Sequence, residues 1–284
     1  AGSRAVPPEG PAVPGQPAAY RDYHAAGRSR TLWLVSGLLP VAFVGYSFGP
    51  TYVGEPPFLA FLQGLATLVG AFLPLLAVLL GYKSIVQGRT TGSLHLTLSF
   101  PNSRKDVVVG KFVGRSVVLL VPTAAALAIA GVVGVARYGG DGALLYPWFL
   151  LATALYGISF IGIAIALSMS TTVDRWITFG AIGVYLLLVQ IWDNLHTATL
   201  LVLHRFDFTV LSDMPDWALL FRLIKPSESY YRLIRVGFDI GQAGRYVGEG
   251  APFFVNWWMA LVLLVAWCVI PLALAFRRFN STDL

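Results

Sequence analysis

The chain has 284 residues, of which 56% are hydrophobic and only 12% are charged, and its mean hydropathy is +0.70. Soluble domains carry about 25% charged residues, so the composition excludes a soluble enzyme and also a disordered chain. The net charge of +6 therefore has to be interpreted by its position along the chain.

Residues 1–19 differ in composition from the rest of the chain. They contain five prolines among glycine and alanine residues, and a segment of this kind cannot bury a hydrophobic core. We expect a disordered tail here, followed by a single membrane domain over residues 20–284.

Six stretches of the membrane domain are apolar enough to cross a hydrocarbon core of about 30 Å, which takes about 20 helical residues. None of them contains Asp, Glu, Lys, Arg or His, and each is continuously apolar, whereas the strands of a membrane barrel alternate. The sequence therefore predicts an all-α protein with six transmembrane helices. The predicted spans are residues 32–48, 58–82, 116–136, 144–169, 176–192 and 257–276.

Lysine and arginine are distributed unequally between the two sides of the predicted membrane. An even number of spans puts both termini on one side, and that side carries most of the basic residues, whereas the short loops opposite carry only Arg137. By the positive-inside rule, the termini are cytoplasmic and residues 193–256 lie outside. The net charge thus reflects topology, and no nucleic-acid partner is expected. The basic residues on the cytoplasmic side are Arg4, Arg21, Arg28, Arg30, Lys83, Arg89, Arg104, Lys105, Lys111, Arg115, Arg175, Arg277 and Arg278.

Several classes of membrane protein are disfavoured because the sequence lacks residues that they require. Ion-coupled transporters and proton pumps place ionisable groups inside the bilayer, and no predicted span contains one. The motifs HExxH and GxSxG and the phosphate-binding Walker A pattern are also absent. We therefore expect no catalytic residue, metal site or cofactor in this chain, so any energised work depends on a separate subunit.

The most informative segment lies between the second and third predicted spans, on the cytoplasmic side. A basic residue, a Gly-Ser pair and a leucine-rich stretch ending in serine precede Pro-x-Ser-Arg and a Gly-Lys pair. This order resembles the permease subunits of ABC-2 type ATP-binding-cassette transporters. The matching residues are Arg89, Gly92, Ser93, Leu94, Leu98, Ser99, Pro101, Ser103, Arg104, Gly110 and Lys111. We call residues 89–104 the coupling loop.

The resemblance implies a permease subunit in a prokaryotic cell membrane. Its partners would be membrane lipids, a second permease copy and an ATP-binding subunit that holds ATP and Mg²⁺. The coupling loop would be the element through which that subunit moves the spans. In one departure from the family pattern, Gly88 stands where an acidic residue often precedes the basic one.

The coupling loop also suits its implied role on physical grounds. The resemblance implies a short interfacial helix with Leu94 and Leu98 on one face, although the period of two in the leucines by itself favours a strand. Residues 101–103 predict a sharp turn, and Lys111 can extend to the lipid headgroups. The alternative is a basic loop that only sets topology and contacts anionic lipid.

Residues 193–256, the outer insert, are long for a connection. Pro226 predicts a helix start, and the apolar residues that follow recur at helical spacing, so we expect one to three helices on the outer membrane face. They form either a lid over the spans or a docking surface for an extracytoplasmic partner. The layout is similar to permeases of the NosY kind, which work with a periplasmic protein in copper-site maturation. The predicted docking residues are Trp217, Tyr230, Leu233, Ile234 and Phe238.

Two other functions are consistent with the sequence. One is a scaffold that only holds an outer partner, and the other is a membrane enzyme acting on lipid with Asp193, His196 and His204 as its polar groups. The two histidines are eight residues apart, which on a helix separates their directions by about 80° and does not make a ready metal pair. We expect the permease function, in which ATP hydrolysis by a separate subunit drives export or mechanical transmission across the membrane.

Overall fold

The computed structural model describes residues 30–49, 57–82, 84, 104–170, 173–240 and 252–281, and every regular element in these ranges is helical. A π-helical turn, Leu186–Ile191, joins α5 to α6, and short 3-10 turns occur at Ala143–Leu145 and Phe208–Leu211. The all-α prediction is confirmed for this part of the chain. The α-helices are α1 Arg30–Tyr46, α2 Phe58–Gly81, α3 Arg104–Tyr138, α4 Tyr146–Ser170, α5 Asp174–Tyr185, α6 Trp192–Leu203, α7 Asp216–Leu223, α8 Pro226–Ile234 and α9 Trp257–Ser281.

Five stretches of these helices are long and apolar enough to cross a membrane, which confirms a multi-pass membrane protein. The first predicted span corresponds to α1, which has 17 residues and of which Gly37–Tyr46 forms a shorter apolar helix. The five candidate spans are Phe58–Gly81, Lys105–Tyr138, Ala143–Ser170, Arg175–Leu203 and Trp257–Arg278.

Two helices extend beyond the apolar runs from which their spans were predicted. The helix of the third span begins at Arg104, ahead of the run that starts at residue 116, and the fifth span continues past residue 192 to Leu203. Both extensions contain polar residues, which do not belong to an apolar run. A helix can nevertheless continue through them, because each added residue contributes a backbone hydrogen bond. The fifth span stops where Arg205 and Phe206 adopt positive φ.

Helix α4 occupies the centre of the bundle and packs against α2, α3, α8 and α9. Glycines allow the closest approaches: a Cβ on Gly162 would lie 2.8 Å from the carbonyl oxygen of Cys268 in α9, and Gly81 at the end of α2 faces Ala164. Unlike α1, α2, α3 and α9, α4 has no proline beyond its first turn. It is therefore the uninterrupted helix around which the others pack.

Hydrogen bonds at the helix termini show which helix ends meet at one end of the bundle. At one end, the Tyr138 hydroxyl donates to the Ser47 carbonyl oxygen at 2.8 Å. At this same end, the Trp148 indole of α4 donates to the Leu233 carbonyl oxygen of α8 at 2.7 Å. The end of α2 and the start of α3 therefore lie at the opposite end from α8.

A buried tyrosine donates a hydrogen bond to a carbonyl of α2 that has no helical donor. Pro74 has no N–H, so the Gly70 carbonyl lacks its usual helical donor. The Tyr156 hydroxyl of α4 donates to that carbonyl oxygen at 3.0 Å. The Tyr156 ring is fully buried and stacks on Tyr230 of α8, with 4.6 Å between the ring centroids. One side chain thus connects α2, α4 and α8.

Replacing Tyr156 by Phe should lower the unfolding free energy by about 1–3 kcal/mol, because the Gly70 carbonyl is left unpaired in the core. The matched control is Tyr185→Phe, since the Tyr185 hydroxyl donates at 3.3 Å to the Ala71 carbonyl, for which the N–H of Leu75 remains available. Denaturant unfolding of the purified protein in detergent should show the larger loss for Tyr156→Phe.

The same comparison in a Pro74→Ala background identifies the cause. Alanine restores the N–H that bonds to the Gly70 carbonyl, so the cost of Tyr156→Phe should shrink there. An equal cost with and without Pro74 would mean that the hydroxyl stabilises the fold by some other contact.

Candidate functional site

The coupling loop lies almost wholly outside the described residues, so its predicted contacts stay predictions. Arg104 is the first residue of α3, and Lys111 lies two turns further along the same helix, half-buried. The predicted residues outside the described part of the chain are Arg89, Gly92, Ser93, Leu94, Leu98, Ser99, Pro101 and Ser103.

The start of α3 connects this loop directly to a span. It extends twelve residues ahead of the predicted span, or about 18 Å at 1.5 Å per residue. Val107 and Val108 of this extension are buried, whereas Val109 is exposed, so the extension packs against the chain along one side. Asp106 lies in the first turn, where a negative charge favours the helix. Arg104, the last residue of the coupling loop, and the third span thus belong to the same helix.

The structure corrects the predicted docking surface of the outer insert. Pro226 does begin a helix, α8, but its apolar residues lie in the core of the chain, and of the five predicted side chains only that of Trp217 is exposed, at 43%. The spacing identified an amphipathic helix correctly, yet its apolar face is covered by α4 and α9. The buried residues are Tyr230, Leu233, Ile234 and Phe238.

Two indoles hold the outer insert by its main chain. The Trp267 indole of α9 donates to the Ile224 carbonyl oxygen at 2.7 Å, just before α8 begins, and Trp148 bonds to the Leu233 carbonyl near its end. Carbonyls next to the ends of short helices often lack helical donors, and the Trp267 bond satisfies the Ile224 carbonyl in this way. The Leu233 carbonyl also accepts from the Val236 N–H at 3.1 Å, so the Trp148 bond is an additional one. Side chains of α4 and α9 thereby fix both ends of α8.

Charged groups attach the insert to the fifth span. The Lys225 ammonium is 6% exposed and lies 2.9 Å from a carboxylate oxygen of Asp193 in α6. Nearby, Arg222 and Glu228 form a longer ion pair of 3.8 Å. A buried ammonium requires a carboxylate partner, because removing it from water is otherwise costly. The part of the outer insert from α7 to α8 is therefore anchored to the α6, α4 and α9 helices together.

The polar groups suggested for a lipid-acting enzyme all make structural contacts. The Nε2–H of His196 donates to the Ala218 carbonyl oxygen at 2.9 Å, and Nδ1 of His204 donates to the Leu200 carbonyl oxygen at 3.0 Å. Asp193 binds Lys225. Within the described residues, no group of three or more His, Cys, Asp or Glu side chains could hold a metal ion.

Sequence analysis did not single out the aromatic residues that attach the insert. These residues, Tyr156, Trp148 and Trp267, lie inside apolar runs. Only a general rule points to them, namely that a buried phenol or indole usually finds a hydrogen-bond partner. The Tyr230 hydroxyl shares a hydrogen bond of 3.1 Å with the Thr153 hydroxyl. Burial raises the pKa of Tyr230 well above its ordinary value.

A different surface at the tip of α6 is apolar and exposed. Val202, Leu203, Phe206 and Phe208 are each more than 60% exposed. Arg205 and Phe206 have φ of 53° and 64°, a left-handed conformation that costs non-glycine residues energy. The turn therefore presents two phenylalanines away from the bundle at the insert end of the molecule.

Five long apolar helical stretches among the described residues define a multi-pass membrane protein. The sequence model of the family described as ABC-2 family transporter protein matches residues 18–284. The chain belongs to this family, as the resemblance in the coupling loop predicted.

Two relatives carry the description "Probable ABC transporter permease protein NosY". The protein of Stutzerimonas stutzeri is 32% identical over 266 residues, which cover 89% of this chain and 93% of the relative. The protein of Pseudomonas aeruginosa strain PAO1 is 32% identical over 269 residues with the same coverage of both chains. The similarity thus extends through the spans and the outer insert.

Replacing Trp267 by Phe should loosen the outer insert, because the Ile224 carbonyl loses its donor. We expect amide hydrogen exchange in α7 and α8 to accelerate by about tenfold, in keeping with 1–3 kcal/mol for a buried unpaired group. The control is Trp257→Phe, which changes an exposed indole at the start of α9. Equal exchange in the two variants would contradict the anchoring role of Trp267.

Proposed function

We propose that this chain is the membrane permease subunit of an ABC-2 transporter and that a separate ATP-binding subunit supplies the energy. That subunit would bind ATP and Mg²⁺ and hydrolyse the nucleotide, while this chain would hold no catalytic residue. One observation carries the proposal: a single helix, α3, extends from Arg104, next to the coupling loop, to Tyr138 at the opposite end of the bundle.

The proposed mechanism uses this helix to transmit movement. The ATP-binding subunit contacts the coupling loop through Arg89, Arg104 and the leucines between them, and Lys111 anchors the start of α3 at the lipid headgroups. ATP binding brings two copies together and shifts α3. Because the far end of α3 bonds to Ser47 of the α1 end and packs against α4, the shift reaches the outer insert.

The proposed topology has six spans, with α1 as the first and both termini in the cytoplasm of a prokaryotic cell. The unequal distribution of basic residues supports this orientation. The parallel packing of α1 beside α3 supports a sixth span, because the ends of both helices meet at Ser47 and Tyr138. The outer insert then lies on the extracytoplasmic side.

An extracytoplasmic protein is the proposed outer partner. The exposed tip of α6, with Phe206 and Phe208, and the exposed Trp217 support such a contact, because large exposed apolar groups mark interaction sites. The action on that side is export or the transmission of mechanical force. No observation favours the lipid-acting enzyme, since Asp193, His196 and His204 all make structural contacts.

The proposed orientation is testable with thiol reagents that do not cross membranes. In a Cys268→Ala background the chain has no other cysteine. Leu144→Cys, at a position that is 96% exposed between α3 and α4, should be labelled in intact cells. Arg278→Cys should be labelled only after the cells are permeabilised. The reverse pattern would invert the topology.

Charge reversal in the coupling loop should uncouple the permease from its ATP-binding subunit. In Arg89→Glu/Arg104→Glu, we expect recovery of the ATP-binding subunit with the purified permease to fall about tenfold or more, because two favourable charge contacts become repulsive. The measurement is co-purification from membranes that contain both proteins.

The matched control reverses two charges on the same side of the membrane, Arg277→Glu/Arg278→Glu, and should retain the ATP-binding subunit. Undiminished binding to the coupling-loop variant would refute the proposed contact. A wild-type chain that retains an extracytoplasmic partner but never an ATP-binding subunit would favour the scaffold function instead.

A further inference from the structure

The outer half of the fifth span, α6, is fixed to the outer insert by contacts from two parts of that insert. The Asp193 carboxylate lies 2.9 Å from the Lys225 ammonium, just ahead of α8. About one turn further along, the His196 Nε2–H donates to the Ala218 carbonyl oxygen of α7 at 2.9 Å. Helix α6 therefore cannot turn about its own axis without breaking both contacts.

The inner half of the fifth span, α5, is enclosed along a narrow side only. Among its described side chains, those of Ile177 and Ala181 alone are buried, and the helix packs against α2 and α4. The Tyr185 hydroxyl donates to the Ala71 carbonyl at 3.3 Å, but that carbonyl also has the N–H of Leu75 as a helical donor. The rotation of α5 about its axis is therefore fixed less firmly than that of α6.

The two halves of the span meet at the π-helical turn Leu186–Ile191. The i→i+5 hydrogen bonds of such a turn accommodate about one residue more than an α-helix does over the same rotation. When the turn changes to α-helical hydrogen bonding, this residue adds its own rotation of about 100°. Because α6 is fixed to the insert, the added rotation is taken up by α5.

The sequence of α5 provides a second uncharged stripe for the rotated position. After the change, each residue of α5 takes the direction that the preceding residue has in the structure. Thr178 and Ile182 then replace Ile177 and Ala181 in the contact with α2 and α4. The Ile182 side chain is 52% exposed in the structure, so its burial would favour the rotated position. Helix α5 thus has two rotations that place uncharged side chains against its neighbours.

We propose that the π-helical turn is a rotary joint, which turns α5 by about 100° between two positions while α6 stays bound to the outer insert. Helix α5 begins on the cytoplasmic side in the proposed topology, so a movement on that side changes which face of the inner half is exposed. The outer insert keeps its contacts in both positions. In the proposed permease function, on which this last step rests, ATP binding selects the rotated position.

Spin-label distances in the full chain in lipid nanodiscs test the joint. In the Cys268→Ala background, labels on Arg175→Cys and Arg278→Cys report the distance from the start of α5 to the end of α9. Ile177→Ser/Thr178→Ile moves the more apolar stripe to the rotated position. The distance should then change by up to about 8 Å, because a turn of about 100° carries a side chain at about 5–6 Å from the helix axis that far.

A second label position allows for the direction of the movement. Trp176→Cys lies about 100° from Arg175 around the helix, so at least one of the two distances to Arg278 must change when α5 turns. Unchanged distances at both positions would overturn the proposal.

Deletion of Leu187 tests the role of the turn itself. The deletion removes the extra residue, so the span should become α-helical with both halves in their present directions. In the Ile177→Ser/Thr178→Ile chain, it should abolish the change in distance. The matched control, Leu187→Ala, keeps the number of residues and should retain the change. An equal change with and without the deletion would contradict the joint.

The outer half provides a check that does not depend on the deletion. Labels on Leu203→Cys and Leu144→Cys, both at exposed positions, report the distance from the end of α6 to the turn between α3 and α4. This distance should be the same with and without Ile177→Ser/Thr178→Ile. A change as large as that at Arg175 would mean that the fifth span turns as one body, which would refute a joint.

Nucleotide binding separates this inference from the proposed function. With the ATP-binding subunit and a non-hydrolysable ATP analogue bound, the chain with its native α5 stripe should give the rotated distance. A bound subunit without this change would overturn the role of the joint in coupling. Failure of the subunit to bind would refute the proposed function, and the stripe variants would still decide whether the joint exists.

Discussion

The packing of this bundle depends on how one unpaired carbonyl is satisfied. Pro74 deprives Gly70 of its helical donor, and Tyr156 supplies a replacement from the neighbouring helix. The same ring stacks on Tyr230, and Gly70, which has no side chain, leaves room for the Tyr231 hydroxyl. In hydrocarbon every backbone polar group must be satisfied within the protein, so this requirement determines how α2, α4 and α8 fit together.

The outer insert is consequently an integral part of the bundle rather than an appended loop. Indoles of α4 and α9 bind its main chain, and a buried ammonium, that of Lys225, binds it to Asp193. A helix held from three sides moves with the spans that hold it. Under the proposed function, movements arising at the coupling loop would therefore reach the outer insert through these spans.

The sequence specified the helical class and most span positions, because a long apolar run without charges is typical of a membrane-spanning helix and of few other structures. Pro226 likewise marked the start of α8. The sequence did not reveal what covers α8, since an amphipathic pattern defines a face and not its neighbour, and Tyr230 and Leu233 proved to be internal. The apolar runs alone did not fix the helix ends at Arg104 and Leu203, because polar residues continue a helix without lengthening its apolar run. The coupling loop was recognised by motif alone, and its residues 89–103 lie beyond the described structure.

Interrupted hydrogen-bond ladders give the helices unequal stiffness. Prolines lie inside α1, α2, α3 and α9, and the fifth span contains its π-helical turn; each is a point where a helix bends at low cost. Helix α4 alone among the long described helices has no such point beyond its first turn. It is therefore the stiffest of these helices, and the five interrupted helices can bend relative to it. Gly162 in α4 and Gly81 in α2 allow close contact with the neighbouring helices.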